Sequence, residues 1–313
     1  MLYRLCFLLV FSASAIADNC PRGDLDERYC DADGDLVADL PARHLVPRTL
    51  IFAYTPVEDP AIYRDVWSEF LTHLEAVTGR RVVFFPVQSN AAQIEAMRSG
   101  RLHVAGFNTG STPLAVNCAG FVPVAMMASA DDSFGYEMEL ITHRDSGIDS
   151  AEDIRGKVVA FTSPTSNSGF KAPTAILESE YGLIGSEDYT HTFSGKHDNT
   201  ILGVVNKDYA VGAIASSVKK RMIARGVIDP GVLKVLYRSQ TFPTTAFGHV
   251  YNLDPNLAAK VRQAFATFDW TGTKLAEEFL KSGEEKFLSI DYKTYWEVIR
   301  NIDRANNVSY ACR

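Results

Sequence analysis

The sequence predicts an α/β protein of two lobes, each a doubly wound, mixed and mostly parallel sheet, with a ligand cleft between them. Three observations lead there. From Thr49 onward, apolar runs of strand length alternate with segments of helical period. The alternation restarts near residue 150, as a second unit of the same kind would. A hydroxyl-rich, charge-poor turn, "SPTSNSGFKAP" (163–173), lies where a strand of that second unit hands over to a helix.

The first seventeen residues have the character of a secretory signal. Arg4 opens it, "LCFLLVF" supplies an apolar stretch too short to span a membrane, and Ala15-Ile16-Ala17 offers a cleavage site before Asp18. Export to the periplasm follows. Loss of Arg4 takes the formal charge from −7 to −8, which argues against nucleic acid or an anionic membrane as partner. Cleavage also leaves four cysteines, an even number in an oxidising compartment. Of the three possible pairings, Cys20–Cys30 with Cys118–Cys312 is expected, the first closing a short loop and the second tying down the C-terminus. The plainer alternative is free buried thiols.

Next comes "DADGDLVAD" (31–39), in which Asp31, Asp33, Asp35 and Asp39 alternate around Gly34. Converging carboxylates at a glycine turn suit a hard cation, so a structural calcium is expected there. The stretch resembles the short aspartate loops of thrombospondin type 3 repeats. It is not a full EF-hand loop, because position 12 counted from Asp31 is Ala42. The alternative is a solvated acidic linker.

"TLIFAY" (49–54) reads as the first strand, and Ile62, Val66, Phe70, Leu74 and Val77 mark one face of a helix. "RVVFFPV" (81–87) is a second strand, and "NAAQIEAMRSG" (90–100) a short helix stopped by Gly100. "LHVAGF" (102–107), "FVPVAMMAS" (121–129) and "YEMELITH" (136–143) complete the strands of the first pass. The second unit begins with a short helix and turn at 150–157, the strand "KVVAFT" (157–162), and a helix after Gly169. "YAVGAI" (209–214) and "LKVLYRS" (233–239) are further strands. Helical spacing returns at Leu257, Val261, Phe265 and Phe268, at Leu275 and Phe279, and at Tyr292, Tyr295, Trp296 and Ile299. That last aromatic stretch reads as packing across the back of a lobe.

The turn at 163–173 is the candidate site. Open α/β sheets bind ligands at the carboxyl ends of their strands. The first N–H groups of the following helix lack intrahelical partners and carry its positive dipole end, so they suit an anion. Ser166 and Ser168 add hydroxyl donors, Gly169 allows close approach, and Pro173 implies an irregular first turn that leaves the N–H groups of about 167–170 free. Ser168 as a plain N-cap is the bland alternative. A nucleophilic serine is disfavoured, because "TSNSG" lacks the G-x-S-x-G elbow.

The order of strand, "SPTSNSGFKAP" and "SGKHDNTILGVVNKDYAVGAI", together with "IEAMRSGRLHVAGFNTGS" (94–111), resembles the phosphonate- and phosphite-binding proteins of bacterial ABC importers, a type II periplasmic binding fold. The likeness runs from about Thr49 to Thr267. It implies that Ser166, Ser168 and the backbone of Asn167 hold the ligand oxygens, that His197 donates from the same lobe, and that Phe107, Asn108 and Thr109 face the ligand from the first lobe. It further implies a binding protein rather than an enzyme, working as a monomer with an inner-membrane permease and without a cofactor.

Departures from the family pattern bear on the ligand. Asn167 replaces a threonine, and Asn90 stands near where many members of the family have a ligand-facing tyrosine. Where aminoalkyl phosphonates meet acidic side chains, this chain has Ser217 and Thr245, with Asp198 as a possible substitute. A small or uncharged substituent is therefore expected: phosphite, methylphosphonate or a similar phosphorus oxyanion. The alternatives are a binding protein for another anion or nutrient (phosphate, sulfate, a cofactor precursor) and an exported hydrolase. The expected layout is a signal at 1–17, an acidic disulfide-containing segment at 18–47, a first lobe of 48–137 with 245–313, and a second of 138–244. The hinges are expected near 130–145 and 240–250.

Overall fold

The computed structural model describes residues 20–312; the expected signal at 1–17 lies outside the described residues. After the N-terminal segment come β1 (Thr49–Tyr54), α1 (Pro60–Val66), α2 (Ser68–Thr78), β2 (Arg81–Phe84), α3 (Asn90–Arg98), β3 (Val104–Phe107), α4 (Thr112–Ala119) and β4 (Phe121–Ala128). The chain then crosses to β5 (Tyr136–His143), β6 (Val158–Phe161), α5 (Ala172–Tyr181), β7 (Thr190–Phe193), α6 (His197–Val205), β8 (Val211–Ala215), α7 (Ser216–Ala224) and β9 (Leu233–Phe242). It returns through β10 (Ala246–Val250), α8 (Pro255–Thr267), α9 (Lys274–Phe279), β11 (Lys286–Ser289), α10 (Tyr292–Tyr295) and α11 (Glu297–Ala305).

Two sheets result, ordered β11-β4-β10-β3-β1-β2 and β7-β6-β8-β5-β9. The α/β architecture with two mixed sheets is the one expected, but pairing is less parallel than the alternation suggested. Among the described residues, four strand pairs are parallel and five antiparallel. The antiparallel share arises because β10 wedges between β3 and β4, and β5 enters the second sheet between β8 and β9. Both are strands that arrive from the other lobe, through segments 129–135 and 243–245.

The expected single helix over Ile62–Val77 is broken at Trp67, which packs its ring against Phe52, Tyr54, Phe70 and Phe247 at centroid distances of 5.0–5.6 Å. Tyr63 takes the buried position and Ile62 is exposed. Burying such large rings outweighs the regularity of one helix. Trp296 is fully buried, its indole N–H donating to the carbonyl of Thr109 at 2.9 Å, and the following helix α11 packs against α5 of the second lobe rather than across the back of the first.

Both disulfides form as expected, Cys20–Cys30 and Cys118–Cys312. The second closes a loop of 194 positions, for which chain entropy gives about 5 kcal/mol of stabilisation. Among the described residues, no helix is long and apolar enough to cross a membrane.

Candidate functional site: a cavity between the lobes

The serine turn follows β6 and is irregular for a reason that the sequence contains. Ser166 caps it, its Oγ accepting the Gly169 N–H at 3.0 Å, and the Lys171 N–H reaches back five residues to the Ser166 carbonyl at 3.1 Å. Asn167–Lys171 therefore form one π-type turn before α5. Pro173 has no N–H for the Gly169 carbonyl, which instead accepts the Thr162 N–H at 2.9 Å and ties the turn to the end of β6. Asn167 and Ser168, at the start of the turn, keep N–H groups with no intrahelical acceptor. The Gly169 N–H, expected to be free, is taken by the cap.

The turn forms one wall of a cavity of about 50 Å³ between the lobes. From the second lobe, Ser166, Asn167, Ser168, His197, Ser217 and Arg221 line it; Tyr54, Asn108, Thr109, Thr245 and Glu284 line it from the first. A larger groove of about 390 Å³ shares Val57, Asn108, Ser166 and His197 and opens outward.

Six of the eight residues expected to bind ligand thus meet at one cavity, and two do not. Phe107 is fully buried and packs edge-on against Phe121 at 4.8 Å, because an aromatic at the end of a central strand gains more from the core. Gly169 gives close approach to its own neighbours instead: a Cβ there would collide with Thr162 and Ser166 side chains. Asn90 lines the outer groove, donating to Thr165 Oγ1 of the other lobe at 2.8 Å. Asp198 accepts the Asp59 N–H at 3.2 Å, and is not a cavity residue.

His197 is the first residue of α6 and is buried. Its Nδ1 accepts the Ala215 N–H at 3.1 Å, which leaves the proton on Nε2 as a donor. Burial pushes its pKa down to about 4, with Arg221 acting in the same direction and Glu58 against it. It is a neutral donor at neutral pH.

The sequence reading missed four charged groups. Arg221 lines the cavity, and Glu58 of the first lobe accepts its Nη2–H at 3.0 Å. Burial opposes charge on Glu58, but Arg221, the Tyr63 hydroxyl and Arg225 outweigh it and hold the carboxyl below its usual range. Glu284 lines the cavity and is hydrogen-bonded by Ser282; burial pushes its pKa up, against the pull of Arg221. Lys171, the one charge in the serine turn, is buried, donating to the Gly110 carbonyl at 2.8 Å and pairing with Asp303 across the lobes. A Cβ on Gly110 would collide with the backbone of Thr165–Asn167, so only glycine lets the lobes meet there. Hydroxyls, free N–H groups, a neutral histidine donor and a buried guanidinium around so small a space suit a compact tetrahedral oxyanion.

In the N-terminal segment, Asp31, Asp33 and Asp35 bring carboxylate oxygens within 4.8 Å of one another. Asp39 stands outside that group and accepts the Ala32 N–H at 2.9 Å.

Residues 52–295 match the family described as "ABC transporter, phosphonate, periplasmic substrate-binding protein". A phosphate-import protein of Mycolicibacterium smegmatis is 31% identical over 231 residues, covering 70% of this chain and 72% of that protein. A phosphonates-binding periplasmic protein of Escherichia coli is 25% identical over 228 residues, covering 72% and 67%. A Prochlorococcus marinus protein solved in complex with methylphosphonate superposes with a TM-score of 0.74 at 16% identity, over 84% of this chain and 99% of that one. That likeness is one of fold.

Proposed function

The chain belongs to the periplasmic substrate-binding proteins of phosphonate ABC transporters, and on that premise we propose that it captures a phosphorus oxyanion with a small substituent, phosphite or methylphosphonate, at the Ser166–Ser168 turn. It is a binding component and not an enzyme, serving a membrane permease. The observation that carries the ligand reading is the cavity itself, about 50 Å³ closed over Ser166, Asn167, Ser168 and His197. Room for a few waters accommodates a phosphorus with its oxygens and one further small group. An aminoethyl arm would add bulk to a cavity of about 50 Å³.

In this reading, the ligand oxygens take the Ser166 and Ser168 hydroxyls, the Asn167 and Ser168 N–H groups and His197 Nε2–H, while Asn108 and Thr109 approach from the first lobe. The ligand bridges the lobes and shifts a hinged pair toward the closed form, bending at 129–135 and 243–245. The mature protein begins after Ala17 and works as a monomer.

One observation favours phosphate as a second reading. Burial raises the pKa of Glu284 in the cavity wall, and in its protonated form a carboxyl there donates to one ligand oxygen and accepts from a protonated one. The relative from Mycolicibacterium smegmatis is named for phosphate import. Sulfate has no proton to offer at neutral pH and is disfavoured in this second reading.

Calorimetric titration of the mature protein, freed of ligand by unfolding and refolding, tests both readings. The panel is phosphite, methylphosphonate, 2-aminoethylphosphonate, phosphate and sulfate, repeated with Ser168→Ala. Binding of phosphite or methylphosphonate, weakened at least tenfold by the substitution, is expected. Preference for phosphate selects the second reading. Preference for 2-aminoethylphosphonate, or no heat with any anion, overturns the proposal.

A further inference from the structure

We propose that Asp31, Asp33 and Asp35 form a calcium site that braces the N-terminal segment, independent of the ligand cavity. Three carboxylates within 4.8 Å of one another repel unless a cation joins them. More telling is Asp31, only 6% exposed. Its Oδ2 accepts the Leu36 N–H at 3.2 Å, but Oδ1 is buried with no hydrogen-bond partner. A buried carboxylate oxygen without a donor is costly, and such groups call for an explanation such as an ion.

Neighbouring cations do not supply that partner. Lys293 donates to the Gly34 carbonyl at 3.0 Å, and Arg262 feels the charge of Asp35 rather than bonding Asp31. The donor set chooses the metal. It is all oxygen, with no histidine in the cluster, and the nearby Cys20 and Cys30 are locked in a disulfide, so zinc and copper are disfavoured. Calcium accepts six to eight oxygens in irregular geometry, and water can complete the shell on the exposed side of Asp33 and Asp35. Magnesium demands a more regular octahedron and gives up its water reluctantly.

The site's place in the fold gives it a purpose. The loop begins at the Cys20–Cys30 disulfide, and the Asp39 N–H returns to the Cys30 carbonyl at 2.8 Å. The same segment rests on the first lobe, with Tyr29 against Tyr251 at 4.8 Å and the Asp26 N–H bonded to the Asn117 carbonyl at 3.0 Å. An ion at Asp31 would fix the loop that the disulfide only closes.

The test uses the full mature protein, stripped with chelator and dialysed against radioactive calcium chloride, with magnesium as competitor and methylphosphonate and phosphate titrations as a folding control. One calcium per chain is expected, with a Kd on the order of 0.1–1 mM, as in extracellular modules, and magnesium at least tenfold weaker. Asp33→Asn with Asp35→Asn should weaken uptake at least tenfold. Both residues are exposed, and asparagine keeps the acceptors that bond the Asp35 and Val37 N–H groups. Near-ultraviolet circular dichroism verifies the fold if neither anion binds. No uptake at 10 mM calcium, or equal uptake by the double variant, overturns the proposal.

Discussion

Arg221 Nη2 lies 3.0 Å from Glu58 Oε2 across the lobe boundary, although the two residues are 163 positions apart in the chain. Both are buried, and the arginine also faces the ligand cavity. Opening the lobes must separate this pair and rehydrate both charges, so it favours closure only while it stays intact. Glu58→Gln should therefore leave a guanidinium buried without its main counter-charge whenever the lobes close. We expect ligand affinity to fall at least tenfold, with loss of the ligand-induced decrease in radius of gyration seen by small-angle scattering. Unchanged affinity and unchanged compaction would show that the pair has no part in closure.

The two serines of the turn should separate under substitution. Ser166 caps the turn through the Gly169 N–H at 3.0 Å. Ser166→Ala should lower stability by about 1 kcal/mol as well as weaken binding. Ser168→Ala should lower affinity roughly 10- to 150-fold, equivalent to about 1.5–3 kcal/mol for a hydrogen bond to a charged group, and leave the melting temperature in place. Equal stability losses in the two variants would contradict this division.

Glu284 predicts a pH dependence of binding. Burial raises its pKa, so the neutral carboxyl persists above the ordinary carboxylate range. As pH rises through that displaced value, the group ionises beside an anionic ligand and binding weakens. Glu284→Gln should remove this decline, and the ratio of variant to wild-type affinity should rise with pH. Taking the ratio at each pH cancels the titration of the ligand itself. A ratio constant from pH 5 to 9 would sink the idea.

How much of this was readable beforehand divides along a physical line. Strands such as Thr49–Tyr54 and Tyr136–His143 were legible because burial stamps local composition. The irregular start of α5 followed from one proline, and the serine turn from its crowd of hydroxyls. What stayed hidden depends on distant partners. Arg221 sits in "SSVKKRMIARG" and Glu284 in "SGEEKF", where nothing local separates a buried charge from its solvated neighbours. Phe107 was assigned to the site by its place at a strand end, but Phe121 claims it for the core. Trp67 broke a regular helix for contacts made with strands on either side of the chain's first crossing.

Three buried histidines, His103 among them with its pKa lowered by burial, make the fold sensitive to mild acid. Burial pushes both His197 and His249 down to about 4, from an ordinary value of 6.5. Between those values, the unfolded chain binds protons that the native state refuses, so stability falls as pH falls through 6.5 toward 4. Each depressed group can cost up to about 3 kcal/mol once pH is below its folded value. From pH 6.5 to 5.5, ordinary carboxylates are still ionised in both states, so the histidines dominate the slope. His249 is the cleaner probe, because it lies away from the cavity, with Nδ1 against the Val250 carbonyl at 2.9 Å and Nε2 without a partner. His249→Phe should therefore flatten the loss of urea-unfolding free energy over that unit of pH by roughly a third to a half. An undiminished slope would mean that His249 is hydrated enough to titrate normally, and the acid sensitivity would then rest on His197 and His103.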